Sequence, residues 1–229
     1  MCVLLRLSTV SPQKSTASNT VVIQTCHNND MVIDSAHCLR NIQWQASQHC
    51  DLPQINVGCD VGQQGLFQCE LIVVHCVSLP AGKYGTGAPG RLFTGTLDPT
   101  AHESFSSLAG LRVAPHVFID RNGQIEQFVP FDRPAWHAGE SQWMNRKGCN
   151  RFSLGIELEG TWESPFAEAQ YDALLEVCTA LCLRYPGLGP SAIVGHQEIA
   201  PGRKQDPGPY FEWMRLLAPL HRRLIRDSP

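Results

Sequence analysis

Two histidines, His75 and His196, each stand just after a short apolar run, and Asp206 follows the second by ten residues. Two imidazoles and one carboxylate make a chemically competent zinc set with a fourth position left for water. Such an open site lowers the pKa of water to about 7 and polarises a carbonyl. No His-Glu-x-x-His pair accompanies them, so spacing alone does not select this reading. Taken alone, His75 reads more readily as a satisfied core or surface side chain than as a ligand. Glu157 lies on an alternating segment with Glu159 to the same side. Alone it fits a solvated strand face; beside activated water it is a general base. Lys204 falls in Pro201-Gly-Arg-Lys-Gln-Asp-Pro-Gly208, a run that either fixes a rigid loop or merely connects elements. It is a surface lysine or, near the reacting carbonyl, a fixed positive charge for a developing oxyanion.

These groups need elements to hold them. Leu71 to Val74 is a continuous, mostly β-branched run, the pattern of a buried central strand that ends at His75. Leu154, Ile156 and Leu158 alternate with Gly155 and Glu157, which predicts a strand showing Glu157 to the opposite face. Ile193 and Val194 form a further short strand leading into Gly195-His196. Val117–Ile119 and Ile125–Val129 flank Asn122-Gly123, which predicts a hairpin with a type I′ turn. Phe166 to Tyr185 carries Tyr171, Leu174, Leu175, Cys178, Leu181 and Cys182 at helical spacing. A last helix is expected over Phe211–Ile225, kinked or interrupted at Pro219. Ser78–Arg91, rich in Gly and Pro, reads as a long surface loop. Together these give an α/β class, one domain with a central mixed sheet flanked by helices.

The 229 residues suit one large domain, or one domain with an appendage. Residues 1–33 read as a mobile N-terminal extension, with Val21–Ile23 as a candidate edge strand, and 34–229 as the folded domain. Residues 34–68 show little regular pattern. Net charge is −3, so no basic excess points to nucleic acid or an anionic membrane. No apolar run approaches the ~18 residues that span a bilayer. The ten cysteines have no Cys-x-x-Cys pair and no regular spacing, and with no secretory signal they read as reduced thiols in a cytoplasm.

Four extended motifs stand in one order: Leu71-Ile-Val-Val-His-Cys-Val-Ser-Leu-Pro80, Pro134-Ala-Trp-His-Ala-Gly139, Phe152-Ser-Leu-Gly-Ile-Glu-Leu-Glu-Gly160 and Gly195-His-Gln-Glu-Ile-Ala-Pro-Gly-Arg-Lys-Gln-Asp-Pro-Gly208. With Leu92–Pro99 and Leu111–Val113 they resemble the cytoplasmic 1,6-anhydro-N-acetylmuramyl-L-alanine amidases of cell-wall recycling. Those enzymes are a branch of the zinc amidase and peptidoglycan-recognition family, and the resemblance runs from about Asp34 to about Leu217. It implies Zn2+ on His75, His196 and Asp206, Glu157 as the catalytic carboxylate and Lys204 as the stabilising cation. It also implies a substrate groove lined by Arg112, with Trp136 and His137 in a matching groove segment. The implied substrate is a small molecule, a 1,6-anhydro-muropeptide, cleaved at the amide to L-alanine by a monomer. Met31 matches the natural start of such chains, which makes residues 1–30 an upstream extension.

Two positions depart from the family pattern. Cys76 replaces an Asn that contacts substrate, and Asn150-Arg151 replaces an Asn-Asp pair, reversing one charge near the groove. If the strand persists, Cys76 points away from His75 and stays out of the ligand set. Two further readings compete: a muropeptide-binding module without hydrolysis, and an exported amidase acting on intact peptidoglycan. A complete ligand set with Glu157 and Lys204 argues against the first, and the missing signal argues against the second.

Overall fold

In chain order the elements are β1 (Gln43–Trp44), β2 (Leu71–Val77), α1 (Ala88–Thr94), β3 (Val117–Ile119), β4 (Ile125–Gln127), β5 (Gln142–Trp143), β6 (Arg146–Lys147), β7 (Ser153–Glu159), α2 (Glu168–Arg184), β8 (Ile193–Gly195), α3 (His196–Ile199) and α4 (Trp213–Arg226). They come from a computed structural model that describes residues 31–51 and 69–226. Six strands form one mixed sheet in the order β1-β4-β3-β7-β2-β8, and β5 and β6 form a separate ribbon. β3, β7, β2 and β8 run parallel to one another, whereas β3 and β4 form an antiparallel hairpin.

Alternation sorts each strand between two faces. Ile72, Val74, Leu154, Ile156, Leu158, Val117 and Ile119 point to the face covered by α2 and α4, and share a core with Leu174, Cys178, Leu181, Leu216 and Leu220. Cys76 packs against this same core, on the opposite side of β2 from His75. The helical spacing expected around Tyr171–Cys182 is borne out, since all six of those side chains are buried.

The other face is apolar only in two separate patches. Leu71, Val73, Phe152, Val194 and Ile199 form one; Leu92, Phe93, Phe118 and Phe128, with Val77, form the other. Between them on β2 sits His75. Buried His116 and His137 lie in the same gap, their ring centroids 5.8 Å apart.

Three expectations need correction. Ser78–Arg91 is not loop throughout: α1 begins at Ala88 with proline in its first turn, where the fixed φ of that residue suits a helix start. Burial of Leu92 and Phe93 then anchors the helix to the sheet. The Val117–Gln127 hairpin is present, but among its loop residues only Gly123 has positive φ. Asp120 Oδ1 accepts from the backbone N–H groups of Asn122 and Gln124 at 2.8 Å each, so a side chain closes a longer turn in place of type I′. Pro219 sits inside α4 without ending it, because Leu216 and Leu220, both fully buried, hold the helix on either side of the missing N–H donor. Met31 and Ile33, just ahead of Asp34, are partly buried against the main core. The candidate strand Val21–Ile23 lies outside the described residues.

Among the described residues the cysteines form no disulfide, and Cys178 and Cys182 serve as small buried apolar side chains of α2. No described helix is long and apolar enough to cross a membrane.

Candidate active site

Register across three adjacent parallel strands builds the site. β2 pairs with β7 so that His75 stands opposite Glu157, and with β8 so that Val74 stands opposite Gly195. His196, the next residue, therefore arrives beside His75 at the carboxyl edge of the sheet, where α/β folds gather ligand-binding groups. Glu198 caps the short helix α3 by accepting from the Gly195 N–H at 2.6 Å, so this carboxylate has a structural use. The following loop returns Asp206, whose carbonyl accepts from the Gln197 N–H at 3.0 Å.

Three donor atoms converge. His75 Nδ1 and His196 Nδ1 are 2.9 Å apart, and Asp206 Oδ2 lies 3.2 Å from the first and 3.0 Å from the second. Both rings are buried, at 0% and 3% exposure, and both other nitrogens are engaged: His75 Nε2 with His137 Nδ1 at 2.9 Å, His196 Nε2 with the Ala138 carbonyl at 3.0 Å. A donor set of two imidazoles and a carboxylate, closing on one point, can hold a metal ion. It is the His75, His196 and Asp206 set expected from the sequence, and Cys76 is outside it.

The charges fit that use. Burial pushes the His75 imidazolium down to about 4, so this ring is neutral at pH 7. Burial of Asp206 works against ionisation, but its close contacts with the His196 and His75 rings more than reverse it and hold the carboxyl well below its ordinary range. Glu157 is the opposite case. Its burial, reinforced by the charge of Asp206 and only partly offset by Lys204, raises it well above 4.5. Its Oε2 is buried with no hydrogen-bond partner. An orphaned carboxylate oxygen costs about 1–3 kcal/mol, an unusual feature to retain outside a reaction centre. Cys76 is no competing thiolate: burial first, then Glu157 and Asp206, push its thiol up.

The expected groove residues divide. Arg112 is exposed and stacks over the Trp136 ring at 4.7 Å. Trp136 in turn stacks on His49, 6.1 Å between centroids, and donates from Nε1 to Asp51 Oδ1 at 3.2 Å. Its neighbour His137 faces inward instead, buried behind His75.

Sequence reasoning passed over several residues that shape this centre. Gly155 leaves the space that the His137 ring fills, since a Cβ there would come within 2.6 Å of His137 Nδ1. Glu159, the companion of Glu157 on β7, is buried and accepts from the Gly85 N–H at 2.6 Å and the Arg121 N–H at 3.3 Å. His116 Nδ1 accepts from the Gly155 N–H at 3.0 Å, and its Nε2 meets the Arg133 carbonyl at 2.8 Å. Only the neutral Nε2–H ring satisfies both bonds.

Burial keeps His116 neutral, pushing it down to about 4 from 6.5. A buried neutral histidine contributes stability that is present above pH 6.5 and lost as pH falls toward 4, because the unfolded chain takes up the extra proton first. Urea titrations of metal-free protein between pH 6 and 5 are expected to show His116→Gln losing about 1.4 kcal/mol per pH unit of the parent's slope. Equal slopes would mean His116 titrates normally in the fold.

A mixed-sheet α/β domain with a His-His-Asp cluster and an orphaned glutamate at the carboxyl ends of its central strands has groups suited to hydrolysis at a carbonyl, were a metal ion held there. The sequence model of the N-acetylmuramoyl-L-alanine amidase family matches residues 67–209, and the chain belongs to that family. It is 51% identical over 149 residues to the 1,6-anhydro-N-acetylmuramyl-L-alanine amidase AmpD of Citrobacter freundii, covering 65% of this chain and 79% of that one. With AmpD of Escherichia coli K12 it shares 52% over 145 residues, 63% and 79% of the two chains. Among solved structures, a selenomethionine derivative of AmpD superposes with a TM-score of 0.74 at 43% identity, covering 82% of this chain and 98% of the other. The E. coli amidase AmiD, solved with anhydro-N-acetylmuramic acid-L-Ala-D-γ-Glu-L-Lys, matches at a TM-score of 0.50 and 29% identity, over 71% and 62%.

Proposed function

We propose that this chain hydrolyses the amide between the lactyl group of 1,6-anhydro-N-acetylmuramic acid and the L-alanine of its stem peptide. The observation that carries the reading is the pairing of a closed His75-His196-Asp206 donor set with the unpartnered Oε2 of Glu157 on the neighbouring strand. Similarity to AmpD supports the choice of substrate. The donor set suits zinc, which when bound there would polarise the amide carbonyl and activate water.

The chain's own groups do the rest. Glu157, its basicity raised by burial, takes a proton from the attacking water at its free oxygen and returns it to the departing amine of L-alanine. Lys204, whose charge is felt at Glu157 and His75, provides a fixed positive charge for the oxyanion. Arg112 and Trp136 form one wall of the groove for the sugar and peptide. His137 belongs to the support of His75 and not to that wall. No observation favours a recognition-only module, and the unpartnered Glu157 oxygen on the strand beside the donor set stands where a general base is needed.

The test is peptide release from 1,6-anhydro-N-acetylmuramyl-tripeptide by the purified protein. Release is expected to stop with a zinc chelator and return on adding zinc. Release indifferent to the chelator would refute the metal assignment, and no release from zinc-loaded protein would refute the substrate.

A further inference from the structure

The hydrogen bonds behind His75 have a direction that can be read from their far end. The Cys149 carbonyl can only accept, so its 2.6 Å bond uses the single hydroxyl proton of Ser153. Ser153 Oγ then offers only lone pairs to His137 Nε2, 3.3 Å away, which must carry the proton. A neutral imidazole protonated at Nε2 has a bare Nδ1. His137 Nδ1 therefore accepts from His75 Nε2 at 2.9 Å. His75 is left with a bare Nδ1, the atom that meets His196 Nδ1 and Asp206 Oδ2. The second ring obeys the same logic: the Ala138 carbonyl accepts from His196 Nε2–H at 3.0 Å, leaving that Nδ1 bare as well.

Two consecutive residues thus orient both rings. Their own position is fixed from three sides. Asn150 Oδ1 accepts from the backbone N–H groups of His137 and Ala138 at 3.2 and 2.7 Å. Arg203 donates to the Ala138 carbonyl at 2.7 Å. Gly155 gives the His137 ring its slot.

We propose that His137 and Ala138 form a brace that presets His75 and His196 as Nδ1 donors before a metal arrives, with Ser153 fixing the proton order and Asn150 holding the brace in place. The proposal rests on the metal centre assigned above and deepens it. His137 is a positioning residue, acting on the metal through His75. Outer partners of this kind are typically worth about 10- to 100-fold in metal affinity.

The first measurement is the protonation of each ring nitrogen in metal-free, 15N-labelled protein at pH 7.5, by long-range proton–nitrogen correlation. His75 and His196 are both expected as Nε2–H with a bare Nδ1; Nδ1–H on either ring would overturn the preset. The second is zinc affinity by chelator competition. His137→Phe fills the slot but cannot accept, and is expected to weaken zinc binding about 10- to 100-fold and leave His75 in mixed tautomers. His137→Gln, whose side-chain carbonyl can accept, should restore most of the affinity. A folded His137→Phe protein that binds zinc like the parent would overturn the brace. Should that variant not fold, Ser153→Ala decides: mixed tautomers at His75 support the proposal, and an unchanged single tautomer refutes it. None of these readouts uses substrate. Expected tautomers and affinities without peptide release would therefore sink the amidase reading and leave the brace standing.

Discussion

Replacing Glu157 by Gln is expected to lower the rate of peptide release by about a hundred- to ten-thousand-fold, the usual worth of a general acid–base group. The amide has the shape of the carboxyl but cannot take the water proton. Zinc affinity should stay within a few-fold of the parent, because Glu157 is not one of the three converging donors. Stability should move in the opposite direction to activity. A carboxyl whose pKa is raised in the fold stabilises the native state at low pH and loses that contribution as pH rises above 4.5. At pH 7 the metal-free Gln variant, with no charge to bury, should unfold at a higher temperature than the metal-free parent. Full activity in this variant would remove Glu157 from the mechanism; lost activity together with lost zinc would make it a structural residue.

Gly155→Ala is the second large effect. The added methyl carbon would lie 2.6 Å from His137 Nδ1 and 2.8 Å from Cδ2, both closer than any relaxed contact. β7 cannot retreat, being paired on both sides with β2 and β3. The ring must therefore leave its slot and release His75 Nε2. The expected cost is about 1–3 kcal/mol of stability for the overpacking, accompanied by a loss of zinc affinity of at least tenfold. Gly189→Ala is a suitable control, since Gly189 has extended backbone and nothing within 4 Å of an added Cβ. Urea unfolding and chelator competition on both variants check the claim. Equal behaviour of the two would show that the His137 slot is not constrained.

The parts of the site that lie on the sheet were legible because a strand states its facing in two-residue steps. The alternation in Leu154–Leu158 was enough to put Glu157 on the face away from the main core, and the apolar runs before His75 and Gly195 placed both histidines at strand ends. Asp206 and Lys204 sit on a loop with no period of its own, so residue type offers each a role only conditionally and the resemblance of the surrounding motif selects it. The support behind the metal donors was not legible at all. Ala138 acts through a carbonyl that every residue type possesses, while Ser153, Asn150 and Gly155 act through contacts made when residues 133–152 cross over the sheet. The sequence groups His137 with Trp136 in one groove segment and carries no signal for its burial behind His75, since Trp136 beside it stacks with Arg112. Elsewhere proline misled twice, once as a loop mark where it opens α1 and once as a helix breaker inside α4. At α1 the proline sits in the first turn, where it favours a helix, and at α4 buried Leu216 and Leu220 outweigh the local preference.

The break between the two apolar patches on the site face has an evolutionary consequence. The centre of a sheet face is where a domain gains most from continuous packing, and this chain fills it with three histidines, a serine, a glycine and a lone carboxylate. Selection for hydrolysis therefore holds the domain below the stability its own scaffold could reach. Descendants released from that selection have a short route to sturdier folds. Aliphatic substitutions at His75, His137 and Ser153 would join the patches into one, and the same changes would erase the catalyst.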